Sequence, residues 1–158
     1  MSVGESLGTD HQLARMLQIG IVLEEVVEAR ASKHVETVAG ETKIEQYMES
    51  AAEESARHRD RLEGLIADLD AETVPFEQIE TLVEATYEAD DKFDDVLYDQ
   101  LCNEETAYKF YDDLIEAIEC SQTEYSIERE RVLATLREIR SEEEEGVEEV
   151  TRIMEDHE

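Results

Sequence analysis

One face of the segment from Leu97 to Ile118 constrains this chain more than any other stretch. At helical spacing, Leu97, Leu101, Glu104, Tyr108, Tyr111, Ile115 and Ile118 fall in a single row. An apolar row of that length predicts a long helix whose face is covered by other helices. Glu104 stands in the middle of it, and a carboxylate taken out of water needs a hydrogen-bonding partner, a counter-charge or a cation. The fold therefore has to bring polar groups from neighbouring helices to the level of Glu104.

Three other stretches supply such helices. Thr9 with Gln12 reads as a capping box opening a first helix that runs to about Ala39. This helix carries two apolar stripes, one of Leu13, Leu17, Gly20, Leu23, Val27 and Ala31 with Glu24 beside it, the other of Ile19, Val22, Val26 and Ala29. A helix apolar on two sides is buried on two sides, so the second stripe predicts a homodimer formed through helix 1. Gly40 is a natural stop, and Thr42 with Glu45 reads as a second capping box opening a helix to about Leu69. Its seam is Ile44, Met48, Ala51, Ser55, His58, Leu62 and Leu65.

Pro75 suits the first turn of a short connecting helix, Phe76 to about Tyr87, followed by a charged bend near Asp90 and Asp91 and a third helix from about Phe93. Ser121 with Glu124 reads as a third capping box, opening a fourth helix from about Gln122 to Met154 with the seam Val132, Leu136, Ile139, Glu143, Gly146, Val150 and Ile153. So long a connection lets helices 2 and 3 run parallel. The fold class read from the pattern is all-α: one domain over residues 1–158, a four-helix bundle with a crossover containing a short helix between helices 2 and 3.

Carboxylates interrupt three of the four seams, and one seam holds a histidine. In a hairpin about Gly40, residues equally far from the turn meet, which puts Glu24 level with Ser55 and His58. Glu54 lies one turn before His58 on nearly the same side. Glu143 interrupts the fourth seam. His11, His34 and His157 have no acidic seam partner in the pattern and read as surface or packing residues.

Charge narrows the partners. A formal charge of −30, from 44 acidic against 14 basic residues, argues against nucleic acid and anionic membrane surfaces, whose phosphates need a basic face. Self-repulsion on that scale suits a cell interior rich in salt, where the Debye length is a few ångströms. With only Lys33, Lys43, Lys92 and Lys109 as lysines, the composition predicts a halophilic archaeal source. The opening MSVGESLGTD has neither a basic nor an apolar leader region, and no run approaches 18 apolar residues, so a soluble, cytoplasmic protein is expected. Cys102 and Cys120 lie on one predicted helix about 27 Å apart, too far for a disulfide.

The wording of Asn103 to Tyr111, NEETAYKFY, resembles the metal-ligand helix of the ferritin-like, rubrerythrin-type proteins. That resemblance implies a ferritin-like bundle holding one or two ions of iron or manganese. The family pattern takes one Glu from each of two helices and a Glu-x-x-His pair from each of the other two. The corresponding positions here are Glu24, Ser55 with His58, Glu104, and Glu143 with Gly146. Ser55 stands where the pattern wants Glu, and Gly146 where it wants His. The metal ligands implied are Glu24, His58, Glu104 and Glu143, with Glu54 as a flanking substitute for the missing carboxylate. Glu28 is the alternative on helix 1, because EARASKHV echoes EETAYKFY in the positions of Glu, Ala and Lys. The reaction class implied is oxidation of Fe(II) by oxygen or peroxide. The chain has no rubredoxin-like C-x-x-C motifs. A second reading follows from the two broken pairs: a non-catalytic bundle that has lost its metal and serves as a structural or interaction protein.

Overall fold

A computed structural model of the chain describes residues 8–80 and 96–156. Four long helices dominate it: α1 (Asp10–Thr37), α2 (Thr42–Asp68), α3 (Val96–Cys120) and α4 (Arg129–Asp156). Residues 76–80 are helical as well, and no strand occurs among the described residues. The expected bend at Asp90 and Asp91, the connecting helix beyond residue 80 and the expected start of helix 3 at Phe93 lie outside the described residues.

Side-chain pairs fix the directions of the helices. Glu24 meets His58, 16 residues before and 18 after Gly40, as an α1–α2 hairpin about Gly40 requires; Gly40 takes a φ of 102°, which favours glycine. Arg30 meets Asp99 and Glu24 meets Tyr111, so α3 runs antiparallel to α1. Asp68 pairs with Arg131 and Tyr47 with Gly146, so α4 runs antiparallel to α2. Helices α2 and α3 are then parallel. The chain leaves α2 at one end of the bundle and enters α3 at the other, about 40 Å away for a helix of this length. This is the crossover connection expected from the sequence.

The core is built from the predicted seams. Leu13, Leu17, Leu62, Ile115, Ile118, Val132, Leu136 and Ile139 form one apolar cluster, and Ile44, Met48, Tyr47 and Val150 a smaller one toward the Gly40 end. Each fully buried aliphatic side chain contributes about 1.5–3 kcal/mol. Half of the second stripe of α1 is covered inside the same chain: Val22 is 1% and Ile19 8% exposed, and Leu69, Ala71, Val74 and Ile79 pack in the cluster that contains them, whereas Val26 is half-buried and Ala29 exposed. Gln18 clamps this cover, its side-chain amide donating to the Val74 carbonyl (2.8 Å) and its carbonyl accepting from Val74 N–H (3.2 Å). Ile19 and Val22, two of the four residues behind the expectation of a dimer through helix 1, are thus buried within one chain. Among the described residues, no helix is long and apolar enough to cross a membrane.

Two capping assignments change. Thr9 does cap α1, accepting from Gln12 N–H at 3.1 Å. Thr42, however, is already inside α2, whose N-cap is Glu41 with no side-chain bond. Helix α4 begins at Arg129 and not at Gln122, because residues 121–128 are tied across the end of the bundle. Ser126 N–H donates to Asp10, Ser126 Oγ accepts from Asp70 N–H, and Arg129 donates to the Thr123 carbonyl. Ser121 Oγ accepts from Thr123 N–H, a local turn in place of a helix cap.

Candidate metal centre

Midway along the bundle, His58 is fully buried, 0% exposed. Its two ring nitrogens face different groups. Nδ1 points inward, 3.2 Å from Glu24 Oε1 and 3.1 Å from Glu143 Oε1. Nε2 points outward, 2.5 Å from Glu142 Oε2 and 3.9 Å from Glu54 Oε1. Within each set, Glu24–His58–Glu143 and Glu54–His58–Glu142, the donor atoms lie within 4.8 Å of one another. The two sets differ in depth. The Glu24 and Glu143 side chains are 0% and 3% exposed, those of Glu54 and Glu142 21% and 40%.

The inner set has the chemistry of a cation site. Glu24 is held by the Tyr111 hydroxyl, which donates to Oε1 at 2.6 Å. Its other oxygen, Oε2, is buried with no hydrogen-bond partner. A buried carboxylate oxygen left without a donor costs several kcal/mol, and a divalent ion beside Nδ1 would satisfy it. Two carboxylates and an imidazole form a mixed oxygen and nitrogen donor set suited to Mn(II), Fe(II) or Zn(II). The residues therefore fit a bound first-row cation.

Glu104 belongs to the next layer. Its Oε1 accepts from Gln100 Nε2 at 3.0 Å and lies 3.2 Å from the Tyr47 hydroxyl, which also lies 3.1 Å from the Gly146 carbonyl. Glu104 is hydrogen-bonded to Glu143, so the two carboxyl groups share a proton. The Gly146 backbone leaves the room: a Cβ there would sit 2.6 Å from Glu104 Oε2. The residue that opened the sequence argument thus reaches the cluster through Glu143, not through His58.

Burial sets the protonation of the cluster. It pushes Glu143 well above the usual carboxylate range, reinforced by the charges of Glu24 and Glu104. It raises Glu104 in the same way and carries Glu54 to about 7 against the pull of His58. For His58 burial alone would lower the pKa, but the hydrogen bonds its ring donates to Glu24 and Glu142, with the charges of Glu24 and Glu54, prevail and raise it. Tyr47 and Tyr111 are pushed upward by burial and neighbouring carboxylates, so both hydroxyls stay protonated and act as donors. The metal-free cluster therefore holds protons that a dication would displace.

Sequence reading placed Glu24 level with His58, and the two are in contact. Glu28, the alternative, is turned away and pairs with Arg59 at 2.5 Å. Glu142, Tyr47 and Gln100 were missed. Gln100 carried a signal, since it lies with Glu104, Ala107 and Tyr111 on one line of three- and four-residue steps. Glu142 was hidden within the run Glu142 to Glu145, where nothing local separates one carboxylate from the next.

A second polar cluster corrects the reading of His34. Its Nε2 lies 2.6 Å from Asp99 Oδ2, and Arg30 Nη1 donates to Asp99 Oδ1 at 2.7 Å. Asp99 is 5% exposed. Burial would raise its pKa, but His34 and Arg30 overcome this and lower it. The acidic partner came from α3, at a position assigned to no seam. His11 accepts from Glu72 N–H at 3.3 Å, and His157 lies outside the described residues.

Comparison with known proteins adds no relative: no protein-family model, no curated protein and no solved structure matches the chain.

Proposed function

We propose that this bundle is a ferritin-like metal protein that holds one Fe(II) or Mn(II) ion at Glu24, His58 and Glu143. The observation that carries this reading is the partnerless, buried Glu24 Oε2 beside two further donors of the right kind from two other helices. Tyr111 fixes the Glu24 carboxylate, and Glu142 orients the imidazole by accepting from Nε2, as carboxylates do for metal-bound histidines. Glu104, held by Gln100 and Tyr47 one layer away, keeps the proton it shares with Glu143 until an ion takes its place. An ion of either metal supplies one-electron redox chemistry toward oxygen or peroxide.

The reading favours one ion in the inner set over a symmetrical pair, because Ser55 and Gly146 remove one ligand from each half. Anaerobic titration with Fe(II) and with Mn(II), followed by elemental analysis, tests it. Close to one ion per chain is expected after free metal is removed by chelator and gel filtration, and none is retained in Glu24→Gln or His58→Ala. Absence of bound metal in the loaded wild-type protein rejects the proposal.

A second reading draws on Glu104. Its carboxylate is already satisfied by Tyr47, Gln100 and Glu143, the behaviour of a structural buried acid. On that reading the bundle is a non-catalytic interaction protein, and metal addition leaves its melting temperature unchanged.

A further inference from the structure

His58 presents a nitrogen to each of two carboxylate pairs, and the pairs differ in depth. We propose that the two faces of this one ring are successive positions for a single divalent cation. Glu54, Nε2 and Glu142 form an outer capture position; Glu24, Nδ1 and Glu143 form the inner holding position. The inference rests on the metal-binding reading above and concerns how that site is filled.

Three observations carry it. First, each set brings one carboxylate oxygen from each of two residues together with one ring nitrogen inside 4.8 Å, so each has the donors that a cation position needs. Second, exposure falls steeply from one to the other: the Glu142 side chain is 40% exposed and its neighbour Glu143 3%. A hydrated ion therefore meets the outer pair first and reaches the inner pair only after losing water. Third, the ring is shared. A neutral imidazole has one lone pair to give and one N–H to donate. With an ion on Nε2, the Nδ1–H points at Glu24 and Glu143. With an ion on Nδ1, the Nε2–H points at Glu142. Each carboxylate pair thus serves as ligand in one position and as hydrogen-bond acceptor in the other. Both positions cannot be filled by a neutral ring, so occupancy is one ion at a time. As the ion moves inward, Nδ1 gives its proton to the Glu143 carboxylate and Nε2 takes one from solvent by way of Glu142, so the ring stays neutral.

Stopped-flow uptake of Co(II) by the full chain, read by its visible absorption and by chelator-triggered release, tests this. The variants are Glu54→Gln/Glu142→Gln, Glu142→Gln alone and Glu24→Gln. All change carboxylate to amide at nearly constant shape, and circular dichroism confirms the fold of each. In the double variant, one Co(II) per chain with the wild-type absorption spectrum is expected. Uptake should slow by roughly tenfold, the lower end of the range for charge-focused entry, an effect on entry that loss of ring orientation alone does not give. Glu142→Gln should slow uptake by a smaller factor. Glu24→Gln should bind Co(II) rapidly at the outer position and surrender it to chelator within the mixing time.

If the double variant takes up Co(II) at the wild-type rate and merely releases it faster, Glu54 and Glu142 only orient the ring, and the capture position is refuted. Two retained ions per wild-type chain refute exclusive occupancy. Wild-type protein that binds no Co(II) removes the underlying metal site as well, a result distinct from either of these.

Discussion

Gly146 and Glu104 compete for one volume: a Cβ on residue 146 would lie 2.6 Å from Glu104 Oε2 and 2.8 Å from Cδ. The carboxylate is not free to retreat, since Tyr47, Gln100 and Glu143 hold it. A position that reads in the sequence as a missing ligand is therefore the clearance that lets Glu104 lie against α4.

The sign of an alanine at 146 should depend on residue 104. Overpacking costs about 1–3 kcal/mol, against a gain of about 1 kcal/mol for removing a mid-helix glycine. Gly146→Ala is expected to lower stability by about 1 kcal/mol. In a Glu104→Ala background the obstacle is gone, and the same change should raise stability by about 1 kcal/mol. Urea unfolding of the four species in a double-mutant cycle checks this, and additive effects would contradict the clash.

Metal should stabilise the wild type through Glu24. At a free concentration one hundred times the dissociation constant, an ion that binds only the folded state adds about 2.7 kcal/mol. Glu24→Gln should remove most of this shift in melting temperature, leaving only what weak binding at the outer position supplies. The metal-free variant should melt no lower than metal-free wild type, because the amide removes a buried charge whose Oε2 has no partner. Differential scanning calorimetry with and without Mn(II) separates the two effects.

Without metal, the carboxylates around His58 should make the fold less stable as pH rises. Glu54 has a folded-state pKa of about 7, raised by burial from 4.5. A raised acid favours the protonated fold, so its stabilisation is complete below 4.5 and is lost as pH climbs toward 7. The raised His58 acts in the same direction, losing its contribution as pH rises past 6.5 and through its folded value. Glu54→Gln should flatten the decline between pH 4.5 and 7. Bound metal should reverse the trend, since ligand deprotonation favours binding at higher pH. Melting temperatures across that range, with and without Mn(II), report both.

Asp99 should behave oppositely. Its pKa is lowered from 3.8 by His34 and Arg30, so its contribution is complete above 3.8 and is lost as pH falls through the folded value. Asp99→Asn leaves Arg30 and His34 without their shared carboxylate and is expected to cost about 3 kcal/mol at neutral pH. Urea denaturation at pH 7 measures the loss, and the gap to wild type should narrow in acid.

Glu24, His58 and Glu143 were legible because each interrupts an apolar seam, and an interruption is visible at helical period. Asp99, Gln100 and Asn103 were not, although all are buried. The buried face of α3 is rotated from the row first read: Tyr108 and Leu101 are only half-buried, whereas Gln100, Ala107 and Leu114 are inside. With apolar residues on several sides, periodicity alone leaves the angle of a helix about its axis open by about one residue, or 100°. Packing against α1 and α4 removes that freedom.

The sequence by itself determined four helices, their approximate lengths, the Gly40 hairpin and the parallel run of α2 and α3, because spacing, turn residues and connection length are local properties of a chain. Only the tertiary structure decided that the segment after α2, clamped by Gln18, covers Ile19 and Val22 of α1, that Gly146 makes room for Glu104, and that one imidazole is shared between a buried and a half-buried carboxylate pair. Those depend on which side chains from distant segments arrive at one point. In a chain with 44 acidic residues, burial and distance, not residue type, separate the carboxylates around His58 from the rest.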